Sequence, residues 1–94
     1  MKTIAEKVAE SRHLSERIKC GGKTWTFRDL GGTWTRLMSD GNKLKVRKIY
    51  SHSHPWTAWR FHEASGTLQN METRGFKSME NAAKAALKHW GYVS

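Results

Sequence analysis

Two histidines one residue apart, His52 and His54, are the first residues here whose type and spacing suggest chemistry. A His-x-His pair can supply two metal ligands, but a zinc site needs a third and usually a fourth. The lone cysteine, Cys20, and eight scattered carboxylates complete no such set. The same pair could act as general acid and base in RNA cleavage, because imidazole titrates near neutrality. That chemistry also needs a nucleophile or a second acid, and neither is identifiable. Cys20 has no readable activating neighbour. Gly21-Gly22 and Gly31-Gly32 are not followed by the Lys-Ser/Thr that would open a phosphate-cradling helix. The expectation is a non-enzymatic protein with no metal site and no cofactor.

Binding is the stronger signal. The chain carries 17 Lys and Arg against 8 Asp and Glu, a net charge of +9. Residues 23–62 hold eight of the basic and two of the acidic residues, with four of the five tryptophans. Cations attract a phosphate backbone through counterion release, and aromatic planes beside them stack on bases. The residues expected to do so are Lys45, Arg47, Trp56, Arg60 and His62. In Trp56–His62, Thr57, Trp59 and Phe61 alternate with Trp56, Ala58, Arg60 and His62. If Trp59 and Phe61 face the core, then Trp56, Arg60 and His62 face solvent, beside Lys45 and Arg47 of the preceding strand. The plainer reading is an ordinary solvated sheet face whose charge serves solubility.

These residues need elements to hold them. Thr3–Lys19 reads as a helix, with Thr3 and Glu6 as a capping box and Ile4, Val8, Leu14 and Ile18 on one stripe. Gly21-Gly22 would stop it. Trp25–Leu30 and Thr33–Met38 flank the hairpin signal Gly31-Gly32, and at least one of Trp25 and Trp34 should anchor the core. Asp40-Gly41-Asn42 is a second turn, before the alternating stretch Lys43–Tyr50. Ser51–Pro55 reads as a loop, then Trp56–His62 as a strand. Ser65-Gly66 turns the chain into a weaker strand, Thr67–Thr73. Ser78 caps a final helix whose Met79, Ala82, Ala83, Ala86, Leu87 and Trp90 share one face, and Gly91 ends it.

The expected fold is thus α+β in a single domain, 1–94. It has an N-terminal helix within 1–22, an antiparallel sheet of about three to five strands within 23–74, and a C-terminal helix over 78–90 packed on the sheet. No apolar run approaches the ~20 residues that span a membrane, and MKTIAEKVAE lacks the apolar core of a signal peptide. The expectation is a cytoplasmic protein with no membrane partner.

From Lys45 to Trp90 the chain resembles the three-strand-plus-helix DNA-binding domain of APETALA/ethylene-response factors, a type also found at the N-termini of phage integrases. "GFKSMENAAKA" (Gly75–Ala85) is similar to that family's Gly-Thr-Phe-x-Thr-x-Glu-x-Ala-Ala-x-Ala, "WTAWRF" to its second strand and "KVRK" to its first. Met71 and Glu72 stand where the family tends to place Arg and Trp. The resemblance implies binding through the sheet in the DNA major groove, with Arg47 and Arg60 as contacts. The double-stranded-RNA-binding domain is a fainter likeness, since Met79, Glu80 and Asn81 occupy the place of its lysine cluster.

Three functions are therefore expected, in this order. The first is a small basic protein that binds nucleic acid, duplex DNA by preference. The second is a phage or mobile-element protein that inhibits a host protein or nucleoprotein complex, of the anti-CRISPR or host-takeover type. The third is a ribonuclease toxin dependent on His52 or His54.

Overall fold

A computed structural model describes residues 14–49, 53–71 and 75–94. Six strands follow one another as an antiparallel meander in which each pairs with its neighbours in the chain: β1 (Ser15–Cys20), β2 (Lys23–Leu30), β3 (Thr33–Leu37), β4 (Asn42–Lys48), β5 (Trp56–His62) and β6 (Thr67–Asn70). One helix, α1 (Met79–His89), closes the described chain.

The expectation of an N-terminal helix is overturned. Its described part is strand: Ser15–Cys20 forms β1, paired with β2 from Ser15↔Arg28 to Cys20↔Lys23. The rest of that expectation, Thr3 to His13, lies outside the described residues. The sheet also has six strands rather than three to five, so the described chain is mostly sheet. The physical reason lies in the spacing. Residues four apart share a face of a helix, but they also share a face of a strand. Ile4, Val8, Leu14 and Ile18 differ by even steps, so their stripe suits either period. Gly21 and Gly22, with φ of 61° and 76°, do not stop a helix; they make the same tight hairpin turn as Gly31 and Gly32, with φ of 64° and 89°.

Ser78 begins α1 as expected, its hydroxyl accepting the Asn81 N–H at 3.1 Å. Gly91 ends it with φ 76°, and the Tyr92 N–H then returns to the Leu87 carbonyl at 2.9 Å. Met79, Ala82, Ala83, Ala86 and Leu87 are buried against Ile18, Phe27, Leu44, Val46, Ala58 and Met71. Trp25 is also buried, its indole N–H bonded to the Cys20 carbonyl at 2.9 Å, while Trp34 packs half-buried against the core. Register sets Trp34 opposite Asp29, so the two tryptophans are not cross-strand partners.

The helix touches β4, β5 and also β1. β1 and β5 lie four strand spacings apart, ~19 Å in a flat sheet, whereas a helix is only ~10–12 Å across. The helix runs alongside both strands. At its start Ser78 and Met79 share a groove with Glu16, Ile18 and Trp56. Beyond its end, Trp90 lies under Arg60 of β5 and Val93 lies against Gly21 after β1. The sheet therefore curls around the helix, with a concave inner face and a convex outer one.

Candidate nucleic-acid interface

Alternation along the strands and register between them fix what the convex face carries. One row crosses all six strands: Ser15, Arg28, Thr35, Lys45, Trp59 and Asn70. A second holds Leu37, Lys43, Phe61 and Leu68, and a third holds Leu30, Thr33, Arg47 and Thr57. Arg17 and Lys19 point the same way from β1. Across the six strands, the outward positions thus carry Arg17, Lys19, Arg28, Lys43, Lys45 and Arg47, and no carboxylate.

The aromatic and cationic parts touch. The Lys45 ammonium sits 5.4 Å from the centre of the Phe61 ring, and Lys45 is the register partner of Trp59. Trp59 and Phe61 are both half-buried. Among the described residues, Lys43 alone of these cations is neutralised, by Glu63 at 2.9 Å. The Lys43 hydrogen bond and charge hold the Glu63 carboxyl below its ordinary range. The ion pair lies at the solvent edge, where it adds little to stability.

Of the residues expected at the interface, Lys45 and Arg47 face outward. Trp56, Arg60 and His62 do not; the parity expected for β5 is reversed. Trp56 packs against the core, and its backbone exchanges two hydrogen bonds with Phe76, at 3.0 and 2.7 Å. Arg60 donates to Gln69 Oε1 through Nε at 2.8 Å and through Nη2, and its guanidinium lies 5.5 Å over the Trp90 ring. His62 Nδ1 is 2.9 Å from the Ser65 hydroxyl. The reversal has a packing cause. Ala82, Ala83 and Ala86 bring the helix close to the sheet, and only a small side chain fits beneath it. Ala58, 1% exposed and paired with Val46, fills that place and forces Trp59 and Phe61 to the other side.

Arg60 belongs instead to a lock at the end of the helix. The Tyr92 hydroxyl donates to Asp40 Oδ2 at 2.7 Å, tying the chain after α1 to the β3–β4 turn. Burial works to raise Asp40, but hydrogen bonds from the Asn42 backbone and Tyr92, with the Arg60 charge, outweigh it and hold the carboxyl low. Burial and the bond to Asp40 push the Tyr92 hydroxyl up.

The described histidines do not form a common site. His52 and His13 lie outside the described residues. His54 pairs with the Ser53 hydroxyl at 3.0 Å, and His89 meets the edge of Trp90. Among the described residues, no three His, Cys, Asp or Glu are grouped as metal ligands would be, and Cys20 is buried. No described helix is long and apolar enough to cross a membrane. No protein family, curated protein or solved structure matches this chain.

Proposed function

We propose that this is a cytoplasmic, non-enzymatic protein that binds nucleic acid, duplex DNA by preference, through the convex face of its sheet. The reading rests on one observation: six outward cations with two aromatic rings among them and no carboxylate at the outward strand positions, Glu63 just beyond β5 pairing with Lys43. Lys43, Lys45 and Arg47 stand at every second residue of β4, ~6.8 Å apart, about twice the ~3.4 Å axial rise per nucleotide of a DNA strand. A convex ribbon of strands suits the major groove, ~12 Å wide, where Arg47 can reach guanine edges and Trp59 can pack on a thymine methyl. The APETALA-type resemblance points to the same face, with Arg47 kept as a contact and Arg60 removed.

Fluorescence anisotropy with labelled duplex DNA, single-stranded DNA and duplex RNA across a salt series tests this. Binding should be tightest to duplex DNA, fall steeply with salt and weaken in Arg47→Ala. Absence of binding at low salt would sink it. A second reading draws on Leu30, Leu37 and Leu68, which are 59%, 64% and 55% exposed on the same face. Apolar patches among cations suit an acidic protein surface, as a protein inhibiting a host protein or nucleoprotein complex would need.

A further inference from the structure

The sheet is split on its convex side. β2 begins at Lys23 and β3 runs to Leu37, yet their ladder covers only Arg28↔Thr35, Asp29↔Trp34 and Leu30↔Thr33. Beyond that the strands part. Thr26, Arg28 and Leu30 on one side and Thr35, Leu37 and Lys43 on the other line a cleft of about 550 Å³, with Arg36 at its base. Arg36 bridges the gap. Its Nη1 donates to the Thr26 carbonyl at 3.3 Å, and its guanidinium lies 5.2 Å from the Trp25 ring centre on the inner side.

Four of the residues that line it carry donors: Thr26, Arg28, Thr35 and Arg36. The Asp29 N–H bonds to the Leu14 carbonyl of the β1 side, at 3.1 Å, so alternate residues of β2 turn toward β1 and the even-numbered ones toward β3. The Thr26 N–H therefore faces the split beside its own carbonyl. Arg28 is exposed on the rim, and among the described residues the Thr35 hydroxyl has only a 3.4 Å contact, to the Thr33 carbonyl. No carboxylate pairs with Arg28 or Arg36 among the described residues, and the Arg36 Nε is sealed from water with no acceptor. Two guanidinium groups, a backbone N–H directed into the gap and a hydroxyl, all on residues that line one cleft, suit a tetrahedral oxyanion.

We infer that the β2–β3 split is a phosphate site, which on the reading above seats one backbone phosphate and sets the register of the nucleic acid on the face. The sealed Arg36 Nε–H should exchange slowly enough to serve as a reporter resonance in nitrogen-edited NMR. Titration with inorganic phosphate should shift it saturably, and a short DNA duplex should shift it at lower concentration. Arg28→Gln, a change at an exposed side chain, should weaken phosphate binding about tenfold, and Arg36→Lys, which keeps the charge but loses the fork, by a similar factor. If duplex DNA binds but neither ligand moves the Arg36 signal, the phosphate site is overturned and the face reading stands. If phosphate moves the signal and no nucleic acid binds, the site stands for a small phosphate-bearing ligand and the face reading falls. If neither binds, both fall.

Discussion

Trp56 and Trp59 are three residues apart on one strand, and replacing each by alanine should have opposite consequences. Trp59 lies on the convex face beside Lys45, with its ring half-buried among side chains of that face. A tryptophan carries up to ~250 Å² of surface, and on the order of 50–80 Å² of it remains for a partner to cover. At ~25 cal/mol per Å² that is roughly 1–2 kcal/mol, or about a 5- to 30-fold loss of affinity in Trp59→Ala. Its stability cost is that of a cross-strand contact, about 1 kcal/mol. Trp56 packs against the core on the concave side. Its backbone bonds to Phe76 survive truncation, so Trp56→Ala should cost about 2–3 kcal/mol of stability from lost packing. Affinity of the folded fraction should stay near that of the parent. Urea unfolding followed by circular dichroism gives the first quantity, and anisotropy with a labelled duplex, corrected for folded fraction, gives the second. If Trp59→Ala proved the unstable variant while folded Trp56→Ala failed to bind, the assignment of the two faces of β5 would be wrong, and the interface argument with it.

Replacing both Lys45 and Arg47 by glutamine should lower the slope of log affinity against log salt by about 1.8, from ~0.9 per phosphate contact, with little change in urea midpoint; an unchanged slope would place the contacts elsewhere. Tyr92→Phe should cost about 0.5–1 kcal/mol near neutrality, because the lost hydrogen bond is exposed. Asp40 is held low in the folded state, so its share of stability is present above the ordinary carboxylate range and is lost as pH falls through it. The difference between Tyr92→Phe and the parent should therefore narrow on acidification. Tyr92 is held high, so its share is present below its ordinary pKa of ~10 and is lost above, and the variant should have the flatter alkaline limb in pH-dependent unfolding. Gly21 and Gly22 share the left-handed region, but a Cβ on Gly21 would lie 2.7 Å from Val93 atoms while one on Gly22 meets nothing within 4 Å. Gly21→Ala should thus be the more destabilising by about 1 kcal/mol or more, and Val93→Ala should recover part of that excess in a double-mutant cycle.

Much of this fold is written locally. Gly31-Gly32 marks its hairpin because both turn residues need positive φ, and Ser78 through Gly91 marks its helix because cap, apolar period and stop agree. β4 and β5 follow from alternation, within a residue or two of their ends. What alternation leaves open is which side is inside. The aromatic pair Trp59 and Phe61 suggests the core by size, yet Ala58 decides it, because a helix presenting Ala82, Ala83 and Ala86 needs a small residue beneath it. That signal was available in the sequence, but only by weighing two elements together. β1 was hidden differently: its apolar residues fall at steps shared by strand and helix, and its pairing with β2 is a tertiary fact. The split between β2 and β3 was not legible at all, since nothing in Thr24–Phe27 or Arg36–Leu37 announces a broken ladder.

The convex face also discriminates a binding surface from charge kept for solubility. A face serving solubility does best with both signs interspersed, since like charges repel one another in the folded state. Here Lys43, Lys45 and Arg47 follow at ~6.8 Å intervals along β4, and among the described residues Glu63, bound to Lys43, is the only counter-charge. Repulsion over that distance is little screened at 0.1 M salt, where the Debye length is ~10 Å, and largely screened at 1 M, where it is ~3 Å. Sodium chloride should therefore act in opposite directions on the two properties of this protein. The urea midpoint should rise between those concentrations, because the folded state is relieved of its own field. Affinity for duplex DNA should fall by orders of magnitude over the same range. A midpoint that stays flat or falls would mean that the outward cations do not feel one another, and the crowded single-sign face on which the nucleic-acid reading depends would not exist in solution.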